Sequence, residues 1–193
     1  MKRTLLTLLL TLMSGASLVY AQSDSLAIVN AAWQVTTTAD GLVHKQAQIK
    51  NLYGSVQSIN LIEIAPEAKR KIGIASDRSM KRTSIQAGAN GAIAAVNGSF
   101  YDMKEGNSVC FYKIDREVID NTLDSEFERR VTGAIREKKG RLEIIEWSKP
   151  IEQAYKGKRG TVLASGPMML EDGKQSDWSM CNESFITTRH PRS

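Results

Sequence analysis

The chain has 193 residues, with 26 basic and 21 acidic side chains and a formal charge of +5. Its basic residues are scattered, densest at Lys69-Arg70-Lys71 and from Arg136 to Arg141, and aromatics make up only 6%. That argues against a nucleic-acid partner, which calls for a concentrated basic stripe with stacking aromatics. The length suits one domain able to bury a real core.

Lys2 and Arg3 precede an apolar stretch from Leu5 to Leu12, small residues, and Val19-Tyr20-Ala21. This is the pattern of a secretory signal peptide cleaved after Ala21. A membrane anchor is the alternative, but the apolar stretch falls short of the roughly 20 residues a span requires. No Cys follows the cleavage point, so a lipoprotein anchor is not supported. Cleavage removes two basic residues and no acidic ones, leaving a domain from residue 22 to 193 with a charge of +3. The expected location is secreted or periplasmic, without stable membrane insertion. In such a compartment a disulfide between Cys110 and Cys181 is permitted, while Val109-Cys110-Phe111-Tyr112 reads equally well as a buried strand with a free thiol.

After a short lead-in from Ser23 to Asn30, Trp33–Thr37 alternates apolar and polar residues as a half-buried strand should. Asp40-Gly41 is a turn signal. Strands are expected at His44–Ile49 and Ser58–Ile64, joined through Asn51–Gly54, and the run ends at Pro66. Ile72–Ala75 reads as another short strand. Thr83 is placed to cap a helix that carries Ile85 and Ala89 on one face and stops at Asn90-Gly91.

Ala92-Ile93-Ala94-Ala95-Val96 is apolar throughout, the pattern of a central buried strand. Further strands are expected at Val109–Ile114, Thr132–Arg136, Leu142–Trp147 and Val162–Ala164, with Lys139-Gly140 as a hairpin turn. Glu126–Arg130 reads as a charged helical turn or loop. Strands dominate over one clear helix, so the expected class is α+β, a mixed or antiparallel sheet domain with few helices.

Three blocks carry candidate chemistry. Asn97-Gly98-Ser99-Phe100-Tyr101-Asp102 leaves the expected central strand. Gly98 lets backbone turn and approach a ligand closely, and the Asn97 amide both donates and accepts, which suits a sugar hydroxyl or phosphate oxygen. The alternative for Asn97 is a strand-end residue bonding its own turn. Asn97-Gly98-Ser99 and Asn182-Glu183-Ser184 also match glycosylation sequons, but the exit of a core strand is a poor acceptor site. Ser165-Gly166-Pro167 forms the second block, followed by Asp172-Gly173, a turn. The third, Arg189-His190-Pro191-Arg192-Ser193, puts His190 and Arg192 two apart, on one face of an extended segment. His190 titrates near neutral pH, and the Arg192 fork matches phosphate bidentately. A basic chain end with no ligand is the alternative. Paired carboxylates are the common requirement of glycoside cleavage, and Asp102 and Glu183 lie nearest these blocks. The sequence carries no metal-ligand spacing and no cofactor motif.

In order and spacing the three blocks resemble the phosphodiester glycosidase family, whose activity removes N-acetylglucosamine from a sugar phosphodiester. The similarity runs from about Trp33 to Ser193. Phe100 and Tyr101 fit the family's aromatic pair, Gly166-Pro167 and Leu170 its middle block, and His190-Pro191-Arg192-Ser193 its His-Pro-Arg-Thr. Ser99 departs from the family, which has a second Gly there. The resemblance implies a catalytic role for His190 and substrate contacts from Asn97, Gly98, Ser99, Ser165, Gly166, Arg192 and Ser193, while Asp102 and Glu183 are candidate catalytic carboxylates by their nearness to the blocks. It also implies Ala-Ile-Gly and Asp-Gly-Arg elements beyond Ser193, without which the domain is expected to be incomplete, unstable and inactive. The expected partner is a glycan or sugar phosphate in the envelope. Competing expectations are a non-catalytic carbohydrate- or phosphate-binding envelope protein, and a structural envelope protein with no cleft at the strand exits.

Overall fold

A computed structural model describes residues 23–38, 41–68, 70–76 and 79–182. The signal-peptide segment and the third block lie outside them. The fold is α+β and mostly β, and every strand pairing among the described residues is antiparallel. Contacts within the chain gather into two compact units, one up to Arg70 and one from Lys71.

The first unit holds helix α1 (residues 23–29) and a sheet of β1 (Gln34–Thr37), β2 (Leu42–Leu52) and β3 (Ser55–Ile64), in that order. Tyr53 and Gly54 both have positive φ, the conformation that lets a two-residue turn follow the strand twist. Leu42, Ala47 and Leu52 are its buried apolar residues. The Trp33 indole donates to Ile28 O at 3.2 Å, and the Tyr53 N–H donates to the Asp24 carboxylate at 3.2 Å. Expected to be half-buried, β1 is exposed along its whole length.

The second unit contains α2 (Thr83–Ala89), β4 (Tyr112–Ile114), β5 (Glu117–Asp120), α3 (Asp124–Arg129), β6 (Gly133–Lys138), β7 (Arg141–Glu146), α4 (Lys149–Lys156) and β8 (Val162–Ser165). A small hairpin of β9 (Leu170–Glu171) and β10 (Lys174–Gln175) follows, with Asp172-Gly173 at its turn. The five-stranded sheet runs β5-β4-β8-β6-β7. Lys139-Gly140 makes the β6–β7 turn with both residues at positive φ. The core gathers Val109, Cys110, Phe111, Val131, Ala134, Trp147, Val162 and Ala164. Phe111, Trp147 and Tyr155 pack with ring centroids 5.4 and 5.3 Å apart.

Several expectations fail. Ala92–Val96 forms no strand, and Ile93 and Val96 are 57% and 70% exposed. The buried central place belongs to β8, flanked by β4 and β6. Ile72–Ala75 is irregular: the Ile72 N–H bonds Gly140 O at 3.2 Å, but no ladder forms. The Val109–Ile114 strand shrinks to Tyr112–Ile114, because the Phe111 N–H donates to Thr122 Oγ1 at 2.8 Å and that of Cys110 to Ser108 Oγ at 3.1 Å. Helix α2 begins at Thr83 after Arg82, with no side-chain cap. Helix α3 takes up most of the charged segment read as a helical turn or loop, and α4 forms where no element was expected. Cys110 and Cys181 are both buried free thiols.

Two buried polar groups tie α4 to the sheet. Glu152 accepts the Thr122 N–H and the Trp147 indole N–H, each at 3.2 Å. Lys113, fully buried, donates its ammonium to Tyr155 O at 2.9 Å and to Lys158 O. These carbonyls lie at and just past the helix C-terminus, where a cation satisfies orphan acceptors and opposes the macrodipole. Replacing Lys113 with Met keeps the stem and takes the ammonium from both carbonyls, Tyr155 O keeping the Lys158 N–H at 3.1 Å. Chemical denaturation of Lys113→Met is expected to show a loss of about 2 kcal/mol; an unchanged midpoint would contradict this role.

Candidate functional site

The first and second blocks meet along β8. The Ser99 hydroxyl donates to Ala164 O at 3.0 Å, joining positions 65 apart in sequence. A Cβ on Gly98 would sit 2.5 Å from Leu163 Cδ2. Gly98 therefore serves close packing against β8, where the sequence pointed to close approach of a ligand. Ser99 is likewise turned inward, near the buried Cys110 thiol. Burial pushes that thiol up, Ser99 and Arg130 pull it down, and Glu126 adds to the rise. The net shift is upward, so Cys110 is not an activated nucleophile.

Asn97 is exposed, as is Tyr101. The exposure of Asn97 removes the reason for dismissing its sequon, since no core strand runs up to it. Asp102 caps a loop: its Oδ1 accepts the Lys104 N–H at 2.7 Å and the Glu105 N–H at 2.9 Å. The Gly106 N–H donates to Asp102 O, and the Asp102 N–H to Asn107 O, closing the loop. The two amides hold the carboxyl below the ordinary aspartate value of 3.8, which suits an ionised cap and not a general acid.

In the second block, Ser165 is half-buried and opposite Gly133 in the ladder. A Cβ on Gly166 would lie 2.2 Å from Arg130 O and 2.9 Å from Thr132 N, both backbone atoms. The Gly166–Pro167 bond is cis, and the Met168 N–H donates to Thr132 Oγ1 at 2.9 Å. The Trp178 indole donates to Met168 O at 2.9 Å. Beyond it, the Asn182 N–H donates to Arg129 O at 2.9 Å. Glu183, His190, Arg192 and Ser193 lie outside the described residues.

The segment Glu126–Thr132 thus touches both described blocks and holds Asn182. Glu126 is buried; its Oε2 takes Arg130 Nε at 2.6 Å, and its Oε1 lies 3.6 Å from Arg129 Nη1. The Arg130 guanidinium sits 3.5 Å from the centroid of the Phe100 ring, a cation–π contact. The sequence reads these residues as a charged helical turn or loop and gives them no site role. Glu126 followed by arginines at i+3 and i+4 was the available signal. Among the described residues no group of three or more His, Cys, Asp or Glu is placed to hold a metal, and no helix is long and apolar enough to cross a membrane.

Comparison with protein-family models, curated proteins and solved structures finds no match for this chain.

Two predictions follow from the packing and the loop. Gly166→Ala is expected to cost about 3 kcal/mol or more, because fixed backbone must move. Gly98→Ala should cost less, since a Leu side-chain tip can give; equal losses in chemical denaturation would contradict the contrast. The Asp102 carboxyl, depressed in the folded state, contributes stability that is present above pH 3.8 and lost as pH falls through its lower folded value. In an NMR titration, the Lys104 and Glu105 amides should shift with a midpoint below 3.8. A midpoint at or above it would overturn the cap.

Proposed function

We propose that this chain is an exported phosphodiester glycosidase acting on sugar-1-phosphate linkages of glycans or envelope polymers. One observation carries the reading: the Ser99–Ala164 bond brings the Asn97 and Gly166 blocks to one place, with Asn97 exposed beside them. An amide that both donates and accepts is suited to a sugar hydroxyl or a phosphate oxygen. Two blocks that resemble one family in sequence are thus neighbours in space.

The third block belongs to the same proposal by tether. His190 is eight residues beyond Asn182, which is bonded to Arg129. An extended chain covers at most about 3.3–3.6 Å per residue, so His190 is within reach of both described blocks. In the proposed reaction water attacks the anomeric carbon, the bond from that carbon to the phosphate oxygen breaks, and the phosphate monoester leaves. His190 takes the proton from water, and Arg192 holds the phosphate. A phosphate monoester is a good leaving group, so charge stabilisation outweighs proton donation to it. Asp102, committed to its loop, is given no proton-transfer role, and Glu183 remains the candidate carboxylate near His190.

The second reading is a carbohydrate- or phosphate-binding envelope protein, which shares the Asn97 surface and lacks turnover. Kinetics on a chromogenic N-acetylglucosamine-1-phosphodiester separate the two. In the complete protein turnover is expected, with kcat falling at least about a hundredfold in His190→Ala. Arg192→Ala is expected to lose more than Arg192→Lys, which keeps charge and loses the fork. Binding without turnover selects the second reading; neither binding nor turnover removes both.

A further inference from the structure

The pair Arg129–Arg130 has no part in the chemistry so far. Its placement is specific. Two guanidiniums approach the two oxygens of a single carboxylate, Glu126, at 3.6 and 2.6 Å. The three side chains sum to a formal charge of +1. The inner pair is largely removed from water, with side-chain exposures of 6% for Glu126 and 14% for Arg130, while Arg129 remains 46% exposed. Arg130 stacks on Phe100, in the first block, and its carbonyl lies against Gly166, in the second.

A buried ion pair is a weak source of stability, because desolvation offsets much of the attraction. A second arginine on the same carboxylate adds little to folding when half exposed. Both arginines also sit at the C-terminal end of α3, where a helix dipole favours cations. But α3 has only six residues, and its dipole does not call for two. The arrangement is better suited to orienting guanidiniums than to neutralising Glu126. The carboxylate fixes Arg130 by its Nε edge, and Arg129 offers an exposed fork of the kind that pairs with phosphate oxygens.

We infer that Arg129 and Arg130, oriented by Glu126, form an anion site for the phosphate of the substrate. Arg129 contacts the phosphate oxygens, and Arg130 supplies a second positive charge from its place on Phe100. This rests on the proposed glycosidase reading for the identity of the substrate, but not for the anion site itself. Phosphate would then sit beside Arg130, which touches Phe100 of the first block and Gly166 of the second.

The test is isothermal titration of the full chain with inorganic phosphate at low salt, where exposed charges are least screened. Arg129→Ala is expected to weaken binding about tenfold, as loss of a charge-assisted hydrogen bond does. Arg129→Lys should fall between it and the wild type. Glu126→Gln should tighten binding about threefold, because the amide oxygen still accepts the Arg130 Nε–H and keeps that side chain in place while the competing negative charge is gone. A purely structural cluster binds no phosphate, so none of these substitutions moves an affinity. Should Arg130→Ala fail to fold, Arg129→Ala and Glu126→Gln still decide. No phosphate binding by the wild type, unchanged affinity in Arg129→Ala, or unchanged or weaker affinity in Glu126→Gln overturns the site. Phosphate binding with this sign pattern but no turnover of the phosphodiester keeps the anion site and removes the glycosidase reading. Turnover with KM indifferent to Arg129→Ala keeps that reading and removes the anion site.

Discussion

The main chain of Ala164 is where the second unit is joined together. Its N–H donates to Phe111 O at 2.8 Å, its carbonyl accepts the Ser99 hydroxyl at 3.0 Å, and its side chain is fully buried beside Ala134. Residues separated by 65 and by 53 positions are held on one residue of β8. A buried carbonyl left without a donor costs about as much as the bond it lost. Position 99 therefore needs a donor that reaches the strand, and a hydroxyl provides one where a glycine would not. A serine at position 99 has this physical consequence: the loop is stitched to the sheet by its side chain.

From that stitch the rest of the candidate site is placed. Gly98 packs on Leu163 because Ser99 holds the chain there. Phe100 then falls under the Arg130 guanidinium. Arg130 is fixed by Glu126 below it, and its own carbonyl abuts Gly166. Each glycine of the two blocks is required by a neighbouring atom rather than by a ligand. Polar side chains open to solvent here include Asn97 and Tyr101 on the first block and Arg129 on α3.

Much of the fold was legible in the sequence, and the failures share a cause. The hairpins at Tyr53-Gly54 and Lys139-Gly140 were readable because turn chemistry is local. The strand ends β3 and β8 fell near their expected limits for the same reason. Ala92–Val96 was misread because a short apolar run does not say whether partners exist, and three of its five side chains are methyls with little area to bury. Helix α4 went unread because it is only eight residues long: Ile151 and Tyr155, four apart, pack against the core beside the buried Glu152, which accepts from Thr122 and Trp147. So short an apolar pattern does not stand out within a charged stretch. In the candidate site, the motifs pointed Gly98, Ser99 and Asp102 at a ligand, whereas Gly98 packs on Leu163, Ser99 bonds Ala164 O and Asp102 holds its own loop amides. A motif records which residues occur together, whereas which side faces ligand depends on contacts such as Leu163 and Ala164, more than 60 positions away. Glu126, Arg129 and Arg130 went unrecognised because a charged run is ordinarily a solvated face.

The central claim is that the Asn97 and Gly166 blocks form one surface that receives a sugar phosphate. It is tested most directly by amide NMR while a non-hydrolysable N-acetylglucosamine-1-phosphonate diester is titrated in. The account predicts that the Asn97 side-chain amide and the backbone amides of Ser99, Ser165, Gly166 and Arg130 move together along one binding curve, while those of β1 to β3 stay still. Shifts confined to one block, shifts that follow separate curves, or no shift at either block would contradict it.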